Sequence, residues 1–413
     1  MTSKNHRTRR RIQFLKYLFG FKLTPVGRVA VLGIFLSAVG VLTVEIPIYQ
    51  IFIALVFLFG LVEFVGFWMR PRLSLSATFP EKVTVEEEAT GFITVKNEGR
   101  WPAFDVMCVF FGLPKVVEHT NAYMSIPVLA SGEQAVLPVT LMPRRRGEYA
   151  LPPARVHSTF PFNMMRFGKN SVDVGKLTVL PRFHRLETFP LPFSSRYQLG
   201  GILVDSSLGD SPEYVGNREY VYGEPAKRLD FRAWARVGKP IVREYQDEFC
   251  SRVAIVLDTL VMSPWAQWKQ HSDSLEAAVS ITASIADKLN EQETMIDVFA
   301  AGPDLFLFQT AAGTTHFDSI LEILAAVEMT RHNPLEQLSP ALRDSLESIS
   351  TVVCVFLDWD ESREELTRQI AEAGCAMRVL LVTPQRHESF PVDVEPFSWH
   401  APQDIFDGSV AEL

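Results

Sequence analysis

Two carboxylates hold the most chemically suggestive positions in this chain of 413 residues. Asp258 ends the apolar run RVAIVLD (252–258), and Asp358 ends TVVCVFLD (351–358). Such runs read as buried parallel strands, and open α/β sheets bind ligands beyond the carboxyl ends of their strands. Thr314 or Thr315 falls in a comparable place. Carboxylate and hydroxyl oxygens together would suit a hard cation such as Mg²⁺. Leu260 and Met262 follow Asp258 at two and four positions, and neither supplies a side-chain oxygen. The loop beyond carries Met262, Trp265 and Trp268. Trp and Met are favoured at protein interfaces, so these three form a candidate interface, with local packing under the loop as the alternative.

A second cluster runs from Arg218 to Glu248, REYVYGEPAKRLDFRAWARVGKPIVREYQDE. Aromatic residues (Tyr220, Tyr222, Phe231, Trp234, Tyr245) alternate with charges. Arginines stacked on rings and paired with Glu219, Asp230 and Glu244 would make a structural network. A partner-binding surface is the alternative. No phosphate-binding G-x-x-x-x-G-K-[ST], G-x-S-x-G, H-E-x-x-H or G-x-G-x-x-G occurs, and the nine histidines lack metal-ligand spacing. No catalytic residue and no cofactor are therefore assigned.

The elements that would position these residues begin with two apolar segments, Val26–Val44 and Ile51–Met69. Each has 19 residues, about 28 Å of helix, close to the hydrocarbon thickness of a bilayer. EIPIYQ between them forces an antiparallel transmembrane hairpin. The first 28 residues carry eight Lys or Arg and no acid, and Arg70 and Arg72 follow the second segment. By the positive-inside rule both ends are cytoplasmic, giving a multi-pass protein of the inner membrane. A cleaved signal peptide is disfavoured because no small-x-small site precedes the second segment. Glu63, the only acid in that segment, is expected to pair with Arg28 across the hairpin or to stay neutral; facing a second copy, or a partner's membrane helix, is the alternative.

From 71 to 185, short alternating runs (73–79, 91–97, 104–111, 135–141, 176–180) separated by turn residues read as about seven strands of an immunoglobulin-like β-sandwich. From 251 to 390, strands alternate with amphipathic helices, as in a doubly wound α/β sheet. Asp273-x-x-Glu276, Thr315-x-x-Asp318 and Ser362-x-x-Glu365 read as helix caps. The remaining divisions are a basic arm (1–25), the hairpin (26–70), a charged connector (186–250) and a tail (391–413). The four cysteines sit in or beside apolar runs without C-x-x-C spacing, as buried free thiols do. A net charge of −8 argues against nucleic acid as a partner.

Arg218-Glu219-Tyr220, Gly223-Glu224-Pro225, Arg228-x-Asp230, Ala235-Arg236 and Val242-Arg243-Glu244 together resemble the hallmark of the bacterial family called domain of unknown function 58. Its usual pattern is R-E-Y-x-x-G-D-x-x-R-x-I-x-W-x-x-x-A-R, then V-R-E. Glu224, Leu229, Asp230 and Phe231 depart from it while keeping charge or bulk. Arg145-Arg146-Gly147-Glu148-Tyr149 is similar to the family's R-R-G-x-Y, and Phe160–Met164 stands where D-P-F-G-L is usual. The resemblance implies a membrane hairpin, a β-rich middle and a C-terminal von Willebrand factor type A-like domain. In von Willebrand A domains, D-x-S-x-S begins a metal-ion-dependent adhesion site; here Leu260 and Met262 replace its serines, so the resemblance implies a degenerate, metal-free site at Asp258, Thr314 and Asp358, with Asp258 kept for hydrogen bonding. Family members accompany a MoxR-type AAA+ ATPase and sometimes other membrane proteins. The implied role is a non-enzymatic membrane adaptor; an uncharacterised hydrolase or nuclease, or a metal-dependent adhesion module, is the alternative.

Overall fold

The computed structural model describes residues 18–40, 48–192, 213–221, 229–246, 252–260, 268–292, 294–301, 305–308, 317–330, 333–385, 396–410 and 412–413. The chain divides into two compact units, Met1–Leu180 and Pro181–Leu413.

The first unit opens with a short π-helical turn, Leu18–Lys22, and two apolar helices, α1 (Pro25–Gly40) and α2 (Ile48–Trp68). These pack against one another, with Leu55 beside Gly33. Of the two, only α2 is long and apolar enough, over Tyr49–Trp68, to cross a membrane; α1, at 16 residues, spans about 24 Å. The stretch 41–47, which would complete the first expected span, lies outside the described residues.

Eleven strands follow: β1 (Leu73–Thr78), β2 (Lys82–Thr84), β3 (Ala89–Asn97), β4 (Ala103–Phe110), β5 (Val117–His119), β6 (Ser125–Leu129), β7 (Gln134–Pro143), β8 (Gly147–Ala150), β9 (Ala154–Ser158), β10 (Phe167–Val172) and β11 (Lys176–Leu180). Two antiparallel sheets, ordered β1-β3-β7-β5 and β10-β9-β4-β6, are joined by a smaller one, β2-β11-β8. Alternation drives this packing. Ile93, Val95, Leu137 and Val139 of the first sheet share one core with Val106, Cys108, Ala154 and Val156 of the second. Burial pushes the Cys108 thiol up to about 12, so it stays protonated. Asn97, fully buried at the end of β3, donates to the carbonyls of Trp101 and Leu129 and accepts from the Gly99 amide.

The second unit contains β12 (Glu213–Glu219), α3 (Phe231–Val237), β13 (Ile241–Gln246), β14 (Arg252–Leu257), α4 (Trp268–Glu291), β15 (Met295–Ala301), β16 (Leu305–Phe308), α5 (Phe317–Ala326), α6 (Leu335–Ser345), β17 (Thr351–Phe356), α7 (Glu361–Glu372), β18 (Ala376–Val382), β19 (Phe397–His400) and α8 (Pro402–Phe406). Its six-stranded sheet runs β16-β15-β14-β17-β18-β19, parallel except for β16. Val256, Cys354 and Val379 pack with Leu338 and Leu342 of α6 and Leu366 and Ile370 of α7 on one face. The long helix α4 packs on β14, β15, β17 and β18, away from that cluster.

Four sequence expectations change here. Residues 391–413 are not a tail: β19 extends the sheet and α8 packs on α4. A four-residue strand is too short to be read from alternation. The connector expected at 186–250 is partly anchored, because Arg378 donates to the Pro190 carbonyl at 2.7 Å and lies over the Phe189 ring, while Thr351 donates to the Pro192 carbonyl. Two caps also move. The helix α4 begins at Trp268, which places Asp273 and Glu276 inside it. The N-cap of α7 is Asp360, an extended residue whose carboxylate accepts from the Arg363 amide, and not Ser362. The cap expected at Thr315 lies outside the described residues.

Candidate functional site

Strand order locates the crevice. From β14 the chain moves one way to β15 and later the other way through β17, β18 and β19, so the topological switch lies between β14 and β17. Asp258 follows the first of these strands and Asp358 the second. Parallel pairing of Leu257 with Val355 brings both strand ends to the same edge.

The two carboxylates part company there. Asp258 is fully buried, whereas Asp358 is exposed and accepts from the Trp359 amide. One Asp258 oxygen accepts from the Leu260 amide at 2.9 Å, which turns the chain back as it leaves β14. The other accepts from the Leu357 amide across the switch at 3.1 Å and from Arg363 Nε and Nη2 at 2.9 and 2.6 Å. The third guanidinium nitrogen, Nη1, donates to Asp360 at 2.6 Å. Arg363 is thus a buried cation, only 1% exposed, held between two acids. Burial alone would lower its pKa; the charges and hydrogen bonds of Asp258 and Asp360 outweigh that and raise it. A metal ion on Asp258 would have to displace this guanidinium. Among the described residues no three His, Cys, Asp or Glu side chains converge to hold a cation.

Arg363 was not a sequence candidate. It sits in ESREELTRQIAE, which reads as a solvated polar helix. Its spacing does carry a signal, since 363, 366, 367 and 370 form one helical face and all four are buried. A second buried charge also escaped the sequence. Asp297, on β15, takes a bidentate contact from Arg252 at 2.8 and 3.2 Å. Thr314, Thr315, Met262 and Trp265 lie outside the described residues, and Trp268 begins α4 instead of lying in the loop before it.

The charged cluster at 218–248 forms a two-stranded antiparallel sheet, β12 with β13, whose connection carries α3. Asp230 caps α3 by accepting from the amides of Arg232 and Ala233, and Gly238 closes it in the left-handed region at φ 74°. The Tyr220 amide donates to the Pro240 carbonyl, beside the end of that ladder. Glu219 takes Lys239 at 2.9 Å as its partner, where an arginine was expected, because β12 and β13 bring those residues to one end of the hairpin. Phe231 and Trp234 stack on each other at 6.2 Å, and Ala235 and Arg236 are exposed. Arg218 lies on β12, Arg243 and Glu244 on β13; Gly223, Glu224 and Arg228 fall outside the described residues.

Residues 216–394 match the family model of protein of unknown function DUF58. The resemblance drawn from Arg218 to Glu244 is therefore shown, and in the DUF58 segment the Asp of R-x-D-F is a helix cap. None of the curated proteins matches the chain. Among solved structures, the CARDB domain of a Pyrococcus furiosus protein is 18% identical with TM-score 0.19, covering 27% of this chain and 95% of that one. The VWA domain of SpRpn10 is 11% identical with TM-score 0.25, covering 40% of this chain and 99% of that one. At such scores neither neighbour bears on the fold, and the α/β assignment of the DUF58 segment rests on its strand order.

The pair expected at Glu63 differs from expectation. Glu63 on α2 bonds to Lys22 Nζ at 3.0 Å, and Arg28 is not its partner. Lys22 ends the turn before α1 and reaches Glu63 while lying 4.3 Å from the Phe167 ring centroid. The turn is held to the β-unit: Thr24 donates through its amide to the Met164 carbonyl and through its hydroxyl to the Asn163 carbonyl, and Arg166 donates to the carbonyls of Phe21 and Leu23. A Cβ on Gly27 would overlap the Met164 carbonyl, and one on Gly66 the Phe167 ring. The helix α1 thus touches Met164, which ends the segment standing where the family's D-P-F-G-L is usual, and α2 touches Phe167, three residues beyond it.

Proposed function

We propose that the chain is a non-enzymatic, membrane-anchored adaptor that presents a von Willebrand A-like domain to a cytoplasmic MoxR-type AAA+ ATPase and to other membrane proteins. The observation that carries this reading is Arg363 at the switch point. The crevice where a doubly wound sheet would bind a ligand is filled by the protein's own cation, which leaves the outer surface of the domain as the working part. A metal-dependent adhesion module would need free oxygens at Asp258, and both are engaged.

Anchoring by a transmembrane hairpin over 26–70 is supported by side chains that water would not favour. Val29, Phe35 and Leu36 on α1 and Phe57, Phe64 and Phe67 on α2 are 66–72% exposed, a surface suited to hydrocarbon. Basic residues on both flanks favour cytoplasmic termini at the inner membrane. The two antiparallel sheets sharing one core favour an immunoglobulin-like sandwich as the spacer. Within it, the Tyr149 hydroxyl reaches back to the Arg145 and Arg146 carbonyls, which gives the R-R-G-E-Y stretch a structural role.

The test is recovery of the tagged full chain from native membranes, followed by mass spectrometry, with a reporter fused after Leu413. A co-recovered MoxR-type ATPase and a cytoplasmic reporter are expected. A periplasmic reporter signal, or recovery without any such ATPase, would contradict the reading.

A further inference from the structure

We propose that Lys22, Arg28, Arg155 and Arg166 form a binding site for the phosphate of an anionic phospholipid headgroup, where α1 and α2 meet the β-unit. The proposal rests on the membrane reading above. Arg155, on β9, and Arg166, just before β10, come from the β-unit, while Lys22 and Arg28 flank the start of α1. The Arg155 guanidinium lies 5.1 Å from the Phe21 ring centroid and 5.5 Å from that of Phe111; Arg166 lies 5.9 Å from the same Phe111 ring. Two guanidinium groups therefore share one aromatic ring.

The cluster is short of negative charge. Glu63 answers Lys22, but among the described residues no carboxylate pairs with Arg28, Arg155 or Arg166. Arg166 uses Nη1 on two backbone carbonyls, which fixes its position without neutralising it. Burial lowers its pKa and the nearby charge of Arg28 lowers it further, as expected for cations crowded without an anion. Within the same strand as Arg155, His157 is neutral at physiological pH, so it adds no charge. Aromatic faces support the guanidinium stems and leave N–H groups for a phosphate, which arginine binds in a bidentate fork. Basic pockets beside transmembrane helices on the cytoplasmic side are suited to such headgroups. The exposed rings of Phe19 and Phe162 lie in the two segments that dock here and give the acyl region apolar contact.

The full chain in detergent, titrated with phosphatidylglycerol or phosphatidylcholine and followed by native mass spectrometry, tests the site. Phosphatidylglycerol should be retained in preference to phosphatidylcholine. The double variant Arg28→Gln/Arg155→Gln should weaken its retention about thirtyfold, from roughly one step of membrane electrostatics per residue. Among the described residues the Arg155 guanidinium makes only ring contacts, so Arg155→Gln alone should give about a fivefold loss. The control Arg70→Gln/Arg72→Gln removes the same charge on the same side of the membrane and should leave the preference intact. Equal losses in control and test variants, or unchanged retention in the test variants, would overturn the site. Glycerol 3-phosphate that binds with the same sensitivity to these variants while phosphatidylglycerol does not would overturn the lipid assignment in favour of a soluble phosphate. Carbonate extraction of native membranes reads the anchoring separately. A chain released by carbonate fails the membrane reading, whereas an integral chain without lipid preference fails only the site.

Discussion

The joint between the apolar helices and the β-unit depends on side chains that are missing, while the switch point of the α/β unit depends on one that is present. Gly27 and Gly66 let α1 and α2 approach Met164 and Phe167 with no room for a Cβ. Arg363 reaches into a strand-end crevice and satisfies Asp258, which would otherwise be a buried unpaired charge. The first arrangement tolerates no added atom and the second no removed charge. Each fixes geometry where a looser contact would leave two elements free to shift.

The largest effect follows from emptying the switch point. Arg363→Ala should cost about 3–5 kcal/mol of stability in the α/β unit, because it leaves Asp258 buried without its cation. Replacing both charges, with Asp258→Asn and Arg363→Met, should recover part of that loss; chemical denaturation of the three proteins checks the order. Filling the joint is next. Gly27→Ala should cost about 1–3 kcal/mol as α1 moves off the Met164 carbonyl, and proteolysis of the 18–24 segment should quicken. If Gly27→Ala proved harmless while Arg363→Ala did not, the contrast between the two regions would fail on its first side.

A pH-dependent effect separates burial from pairing. His157 is buried near the joint, and burial, the Arg166 charge after it, lowers its pKa to about 3, against a partly offsetting backbone hydrogen bond. Between its unfolded value near 6.5 and that folded value, the unfolded chain binds a proton that the folded chain does not. Stability should therefore rise with pH across this window, by at most about 1.4 kcal/mol per pH unit from this group. His157→Gln should flatten that part of the profile, measured by thermal unfolding from pH 4 to 8.

Period and punctuation made much of the fold legible. Alternation in 91–97, 104–111 and 135–141 marks β3, β4 and β7, whose inward residues form the shared core. Continuous apolar runs ending in Asp258 and Asp358 mark the two central parallel strands. What escaped was short or locally disguised. Strands β2, β5 and β8, of three or four residues, have too few positions for a period. Lys22 outcompetes Arg28 for Glu63 because the chain folds back on Met164 and Met165 before α1 begins, a tertiary contact that helix register alone does not encode. Asp258 was legible as a hydrogen-bonding carboxylate, but its cation lies 105 residues further on, in a helix whose composition resembles a solvated surface.

The most direct test of a crevice closed by Arg363 is the melting temperature of the full chain with and without Mg²⁺. A metal at a hundredfold excess over its Kd would add about 2.7 kcal/mol, a readily measured shift. With Arg363 on Asp258, no Mg²⁺-dependent shift is expected. A clear rise in melting temperature with Mg²⁺, abolished by Asp258→Ala, would contradict the account.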